Sequence, residues 1–572
     1  MKNYYLTLQI LFCLFPLNTF ANDSLNHRIN PYLDKVEDWG NAGQILITRN
    51  GNNLYNRNYG YANREKEIPV TDNTIFEIAS ASKFFTACAI MKLSEDNKLN
   101  LKDSLSQYYP SVSVDKAGIT IHQLLTHTSG IRGGDIVDDF QAISRSDLID
   151  KILNTALLAK PKTRFIYSNA GYNLLAALIE KVTGLNYYDY LSKTFFEPLK
   201  MKHTFTNGHK KLLNEQVAIG YRGIQNNGGP DRPDFNARTW GGGSICSTTN
   251  DLKLFLEAIQ KGEIISNESW VKLTTRHIKI AKDNNYGYGC FPYTLNNRNI
   301  IDIIGSTERG FNSTIRIYTD THITYYFLSN ASQPMGTFDR VFVDPRMRHF
   351  IYENDQIKMP PNTRKLPLKL KKELKGAYTF QDDTLDCLSQ GNVINIKAKG
   401  QTAINLLLNY SATRATKIQN LEPYIKAYLN DFTNTDTVGF KMVLSKEQIP
   451  SYMAEKNMML ENNGKLLNYS LKGCHFDTDT NFVASQIEMN FEKQKLNYFI
   501  LWNISGEKPS IDFSEPDAPV TNYALKFVLT DDNLFSSYDF VKAQINSILN
   551  INEKQLRNPK NDLVFKKVKS RT

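Results

Sequence analysis

The chain has 572 residues, more than one core ordinarily needs, and 68 Lys and Arg against 58 Asp and Glu give it a formal charge of +10. Its 41% hydrophobic and 22% charged residues are those of a globular protein and exclude a chain disordered throughout. The basic excess is diffuse: Pro361 to Thr572 holds 28 basic and 23 acidic residues, so 28 − 23 = +5, and no Lys/Arg run interleaves with aromatics, so no nucleic-acid partner is expected.

At the start, Lys2 precedes the mostly apolar stretch Tyr4 to Leu17, and Thr19 and Ala21 stand at −3 and −1 of a cleavage point before Asn22. This predicts a signal peptide over 1–21 and an exported protein, periplasmic or secreted. The apolar run falls short of the roughly 20 residues a membrane helix needs. No later segment is apolar enough to cross a bilayer, so no integral membrane span is expected in the mature chain. The cysteines other than Cys13, namely Cys88, Cys246, Cys290, Cys387 and Cys474, are odd in number and widely spaced. With no CxxC or Cys/His cluster, no metal or cofactor is implied, and buried free thiols are expected.

Gln44–Thr48 reads as a strand, Asn50-Gly51 as a hairpin turn, and Asn53–Tyr61 as the returning strand. Phe84, Cys88, Met91 and Leu93 recur near helical spacing and predict a helix over Ser80–Glu95, with Asn97 suited to its C-terminal end. A second helix is predicted over Ala170–Val182, closed by Gly184. Gly241-Gly242-Gly243 reads as a loop or tight turn, and Asn250-Asp251 as the cap of a helix to about Gln260. Strands follow at Tyr286–Tyr293, Ile300–Ile304, Ser313–Tyr318 and Ile323–Leu328. Strands at both ends with helices between predict an α/β (α+β) architecture, an antiparallel sheet flanked by helices. This first domain is set at 22–358. Pro360-Pro361 and Pro367 mark a linker. A β-rich C-terminal domain with some helix is set at 364–572. Its strands are expected at Ala377–Phe380, Asn392–Ile396, Phe482–Phe491 and Leu496–Trp502, and its helices at Ser445–Asn462 and Tyr538–Asn550.

Ser80 and Lys83 form a Ser-x-x-Lys pair at the start of a predicted helix, where positions i and i+3 share a face. A serine hydroxyl needs a base within hydrogen-bond reach, and a lysine serves once its pKa is lowered by burial or a positive field. The helix N-terminus supplies that field and favours a developing oxyanion. Ser82 lies on the same turn, and only the spacing to Lys83 selects Ser80. Tyr167-Ser168-Asn169 stands just ahead of a second helix: a phenol there can relay a proton, and the Asn169 amide can hold Lys83 and a substrate carbonyl.

The text around these motifs resembles the β-lactamase and penicillin-binding-protein-like serine hydrolases, in particular the class C-like branch with its D-alanyl-D-alanine carboxypeptidases and esterases. The resemblance runs from about Asp34 to Asn330. It rests on the Asn-Gly hairpin with Tyr59-Gly60-Tyr61-Ala62, on Phe76–Ala87, on Ile121-His-Gln-Leu-Leu-Thr-His127-Thr-Ser-Gly130, on Phe165–Leu175, and on Gly305 with Gly310-Phe311. It implies an antiparallel sheet with an all-helical subdomain, and an acyl-enzyme on Ser80 with Lys83 as base, Tyr167 as relay and Asn169 holding the substrate amide. His127 is read as packing a loop under the site. The third motif departs from the family: Ile303-Ile304-Gly305 has Ile303 where a Lys or His usually stands. The backbone N–H groups of Ser80 and Ser306 remain available as an oxyanion hole, and Arg309 is a candidate replacement cation for a substrate carboxylate. The expected function is hydrolysis of an amide or ester, whether a peptidoglycan-type D-Ala peptide, a β-lactam or a small ester. The expected partners are a small-molecule or peptide substrate and the cell wall. The alternative is a non-catalytic binding or structural protein with a degenerate domain of this type.

Overall fold

Asn50 and Gly51 both adopt a left-handed backbone, the requirement of a tight two-residue hairpin, and they join β1 (Gly43–Arg49) to β2 (Asn52–Tyr59). The computed structural model describes residues 18–568 except 132–142, 224, 232–238, 282–283, 308, 333–346, 348–349, 352–358, 409, 435–436, 477–480, 517–522, 532–533, 540–543, 552–553 and 559–563. Most of the expected signal peptide, 1–21, lies outside the described residues.

The hairpin is one edge of an 8-stranded antiparallel sheet. Its other strands come late in the chain: β3 (Ile278–Ala281), β4 (Asn284–Tyr286), β5 (Phe291–Leu295), β6 (Arg298–Ser306), β7 (Asn312–Tyr318) and β8 (Ile323–Ser329), in the order β3-β4-β5-β6-β7-β8-β1-β2. Gly43 faces Ser329 in the pairing of β1 with β8, so the first strand closes a sheet built mostly from the end of the domain. Side chains alternate between two buried faces. Leu46, Ile301, Ile303, Ile315, Ile317, Tyr326 and Leu328 enter one core, and Ile45, Ile47, Ile300, Tyr318, Tyr325 and Phe327 enter another.

The first core is covered by α2 (Ser82–Glu95), α3 (Ile121–Leu125), α4 (Asn169–Thr183) and α5 (Thr249–Gln260), numbered after an N-terminal helix α1 (Asn18–Asp38). Helix α2 is buried on nearly every side, and Phe85 stacks on Phe255 of α5 at 3.8 Å, a pairing worth about 1 kcal/mol beyond its buried area. The opposite face is covered by Ile29, Leu33 and Val36 of α1, by Trp39, and by Val393 and Val528 from the C-terminal region.

Beyond Pro367 a closed barrel holds strands Gly376–Phe380, Asp383–Gln390, Val393–Lys399, Ala524–Asp531, Leu534–Asp539, Gln544–Ile551, Gln555–Arg557 and Val564–Lys567. Between its third and fourth strands the chain inserts a 4-stranded sheet from Leu466–Phe476 to Ser510–Pro516, packed with helices Ala412–Thr433 and Ile449–Asn463 around its own core.

The expected fold class is the observed one, with four local corrections. Where a helix is expected over Tyr538–Asn550, residues 540–543 lie outside the described residues and the rest is strand, in Leu534–Asp539 and Gln544–Ile551: Phe535 pairs with Leu549 and Ser536 with Ile548, and barrel closure outweighs local helix preference. Gly241–Gly243 lies in a helical turn, Trp240–Gly243. The cap of α5 is Thr248, whose hydroxyl accepts the Asp251 N–H at 3.2 Å, while the Asp251 carboxylate takes Thr204 Oγ1 and the His203 N–H. The strand expected over Tyr286–Tyr293 is broken by Gly289 at φ +74, where a side chain would strike the backbone of Lys83 and Phe84. The described cysteines are all free and buried.

Candidate active site

A short 3₁₀ turn, Ala79–Ala81, carries Ser80 into the N-terminus of α2. Ala79 is left-handed at φ +51, a conformation a non-glycine residue keeps only where its surroundings hold it. Here they do: the Ile78 N–H reaches the Ile245 carbonyl at 2.9 Å, and Ser313 Oγ donates to the Ile78 carbonyl at 2.6 Å. Ser80 is partly exposed, whereas Ser82 is fully buried and its hydroxyl accepts the Ile245 N–H at 3.0 Å. Of the two serines on this turn, Ser80 is the one open to a ligand.

Lys83 is buried, and its amine lies 3.2 Å from Ser80 Oγ, 2.7 Å from Asn169 Oδ1 and 2.7 Å from the Gly242 carbonyl. A neutral amine has two N–H groups and one lone pair. The two carbonyl-type oxygens take two N–H groups, so the remaining tetrahedral direction faces the serine hydroxyl, and loss of the amine's third proton puts its lone pair there. Because Asn169 accepts from Lys83 through Oδ1, its Nδ2 is the donor available to a substrate carbonyl. The amine also sits over the Tyr167 ring, 4.8 Å from its centroid. Sequence reasoning missed Gly242, since a carbonyl contact leaves no side-chain signature.

His127 is fully buried beneath this group. Its Nδ1 accepts the Ser168 N–H at 3.0 Å, which assigns the ring proton to Nε2, 3.0 Å from the Tyr286 hydroxyl. Burial first, and the nearby Lys83 cation second, hold the ring well below the ordinary imidazole range of 6.5. The neutral ring packs 4.4 Å from Tyr167 and 5.1 Å from Tyr172. The His127 carbonyl accepts the Ile166 N–H at 2.8 Å. His127 therefore sets the position of the Tyr167–Asn169 segment, its two ring nitrogens engaged by Ser168 and Tyr286.

Gly305 of β6 faces the nucleophile turn. An added Cβ would lie 2.7 Å from Ser80 N and 2.8 Å from Ala81 N, and closer still to the Ile78 carbonyl, so only glycine lets the strand approach. Ser306 follows it at the strand's end, its hydroxyl donating to Asn312 Oδ1 at 3.0 Å. Ile303, two residues earlier on the same face, is buried in the helical core and gives this wall no charge. Arg309, the candidate replacement cation, is only 14% exposed and stands 3.5 Å from the Glu77 carboxylate, which is 2% exposed. Its charge is balanced inside the protein. The structure thus gathers Ser80, Lys83, Tyr167, Asn169 and Gly305 around one turn, and sets Arg309 on Glu77 beside it. Among the described residues, no group of His, Cys, Asp and Glu is arranged to hold a metal ion.

A family model described as Beta-lactamase matches residues 35–343. Protein flp of Staphylococcus aureus (strain MW2) is 30% identical over 303 residues, 51% of this chain and 60% of that protein. The chain thus spans less than two thirds of that relative's length. Penicillin-binding protein 4* of Bacillus subtilis (strain 168) is 27% identical over 390 residues, 64% of this chain and 85% of that protein. The structure of an octameric penicillin-binding protein homologue from Pyrococcus abyssi is similar at a TM-score of 0.51 and 21% identity. It covers 86% of this chain and 99% of that one, so the likeness in fold reaches into the C-terminal region.

Proposed function

Because the chain belongs to the β-lactamase family, we propose that it is an exported serine hydrolase that cleaves an amide or ester through an acyl-enzyme on Ser80. The observation that carries this reading is the placement of the Lys83 amine, with two hydrogen-bond directions occupied by Asn169 and Gly242 and the third aimed at the serine hydroxyl. In acylation Lys83 takes the Ser80 proton as Oγ bonds to the substrate carbonyl carbon. The resulting oxyanion is stabilised by the backbone N–H groups of Ser80 and Ser306 and by the positive end of α2. Tyr167 relays the proton to the departing amine or alcohol, and Asn169 Nδ2 holds the substrate carbonyl. Water then cleaves the acyl-serine ester by the reverse proton path.

Within the family's substrates, the pocket favours those without a free carboxylate next to the scissile bond. Ile303 offers no charge, and Arg309 is already paired with Glu77. A small ester or a peptide amide suits it better than a penicillin or a D-Ala terminus with a free carboxylate. The signal-like residues up to Ala21 support action outside the cytoplasm, on soluble substrates or on the cell wall.

A fluorophosphonate probe tests the nucleophile. One equivalent of label on the wild-type chain and none on Ser80→Ala is expected, read by intact mass. Label surviving Ser80→Ala removes Ser80 from its role. A wild-type chain that takes no label from fluorophosphonates, β-lactams or activated esters is a binding protein instead.

A further inference from the structure

We infer that the Glu77–Arg309 ion pair is a positioning device that sets the width of the oxyanion pocket. The inference rests on the acyl-enzyme reading of Ser80 above. Glu77 lies three residues before Ser80, and Arg309 three residues after Ser306, so the pair bridges the two chain segments that carry the oxyanion N–H groups. Both partners are largely withdrawn from water, at 2% and 14% side-chain exposure, where an ion pair at 3.5 Å is little screened.

Each segment needs such a brace. On one side, Ala79 at φ +51 stores backbone strain directly beside the nucleophile. On the other, β6 ends at Ser306, and its chain turns back through the bond from the Gly310 N–H to the Thr307 carbonyl at 3.1 Å before β7 begins. The Gly305 contact fixes how close the two segments come, because the glycine backbone abuts Ser80 N. It does not stop them separating. Ser313 Oγ on Ile78 holds the turn to β7, and the Glu77–Arg309 pair ties it to the loop past Ser306 through opposite charges. Neither side chain touches the nucleophile or its base. Their effect acts through the spacing of two N–H donors, and that spacing counts only once negative charge has developed on the substrate oxygen.

The test measures kcat and KM on an activated neutral ester for Glu77→Gln, Arg309→Met, Arg309→Lys and the double variant Glu77→Gln/Arg309→Met. Rates are normalised to the sites titrated by fluorophosphonate. Each charge-removing single variant is expected to lose about tenfold in kcat, a fraction of the loss from deleting an oxyanion donor outright, with KM within about twofold of wild type. Arg309→Lys is expected to recover most of the rate, and the double variant to be no slower than the slower single. Wild-type kcat in either single variant, a loss confined to KM, or losses that multiply in the double variant would each overturn the inference. Should the singles fail to fold, the double variant decides, because it leaves no lone buried charge: wild-type kcat there also refutes it. Normal labelling of Ser80 in all variants separates failure of this inference from failure of the nucleophile assignment.

Discussion

At Gly305 the space for a side chain is filled by the backbone of the nucleophile turn, with Ser80 N at 2.7 Å from any Cβ. A methyl group there must push β6 away from Ser80 and shift the Ser306 N–H out of line. Gly305→Ala is therefore expected to cut the rate of Ser80 acylation by about 10²-fold, comparable with loss of one oxyanion donor, while Tyr167 and Lys83 stay in place. Unchanged labelling kinetics in this variant would mean that the strand does not form the pocket wall. His127 makes a different prediction. Its folded pKa lies well below the 6.5 of an exposed ring, so between those two values the unfolded chain binds a proton that the folded chain refuses. More protons on the unfolded state means that stability rises with pH in this window and falls as pH drops through 6.5, by up to about 1.4 kcal/mol per pH unit for this ring. His122 and His277, whose pKa values burial also lowers, act in the same direction. Urea denaturation between about pH 7.5 and 5.5 reads it directly, and a flat or rising profile on acidification would contradict the buried neutral ring.

Helix α4 shows how an element delivers a side chain to the site. Ser168 caps it, its hydroxyl accepting the Gly171 N–H at 3.0 Å, while the Ser168 N–H is held by His127. The cap thus fixes where the helix starts and, with it, the position of Asn169 at the first helical residue. Ser168→Ala is expected to cost about 1 kcal/mol of stability by urea denaturation. It should also lower acylation more than stability alone explains, because Asn169 loses its fixed start. A variant with wild-type stability and rate would show that the cap contributes nothing. Helix α2 supplies the contrasting case: buried almost all round, it leaves the Lys83 amine no outlet to water and keeps it among Ser80, Asn169 and Gly242.

On the scale of the whole molecule, the sheet is covered on both faces, and the second cover comes partly from the barrel. Val393 and Val528 pack into the same core as Trp39 and Ile47, and the Trp39 indole N–H reaches the Pro361 carbonyl at 3.3 Å. A charge in this contact has no partner and would be buried at a cost of several kcal/mol unless the surfaces part. Val393→Asp is expected to loosen the barrel and speed proteolytic cleavage in the 359–367 connection, while Ser80 still takes label. Cleavage at the wild-type rate would show that the barrel does not depend on this contact. Labelling that failed together with docking would mean that the barrel shapes the site as well.

The sequence alone determined the features that repeat locally or lie close along the chain. These include the Asn50-Gly51 hairpin, the helices around residues 82–95 and 169–183, the flanking strands of the sheet, and the Ser80–Lys83 spacing that puts hydroxyl and amine on one face. Each follows from dihedral preference, apolar periodicity or helical geometry acting over a few residues. Tertiary structure decided what depends on distant chain. The turn that selects Ser80 over Ser82 is set by Ile245, the Lys83 amine is oriented by Gly242, and the Arg309 charge is taken by Glu77. Gln544–Ile551 is strand because it pairs with Leu534–Asp539 and Gln555–Arg557 in a barrel that closes only when Val393–Lys399 meets Ala524–Asp531, more than a hundred residues further along the chain. Backbone carbonyls and long-range partners have no side-chain code, so these assignments exist only once the chain has closed on itself.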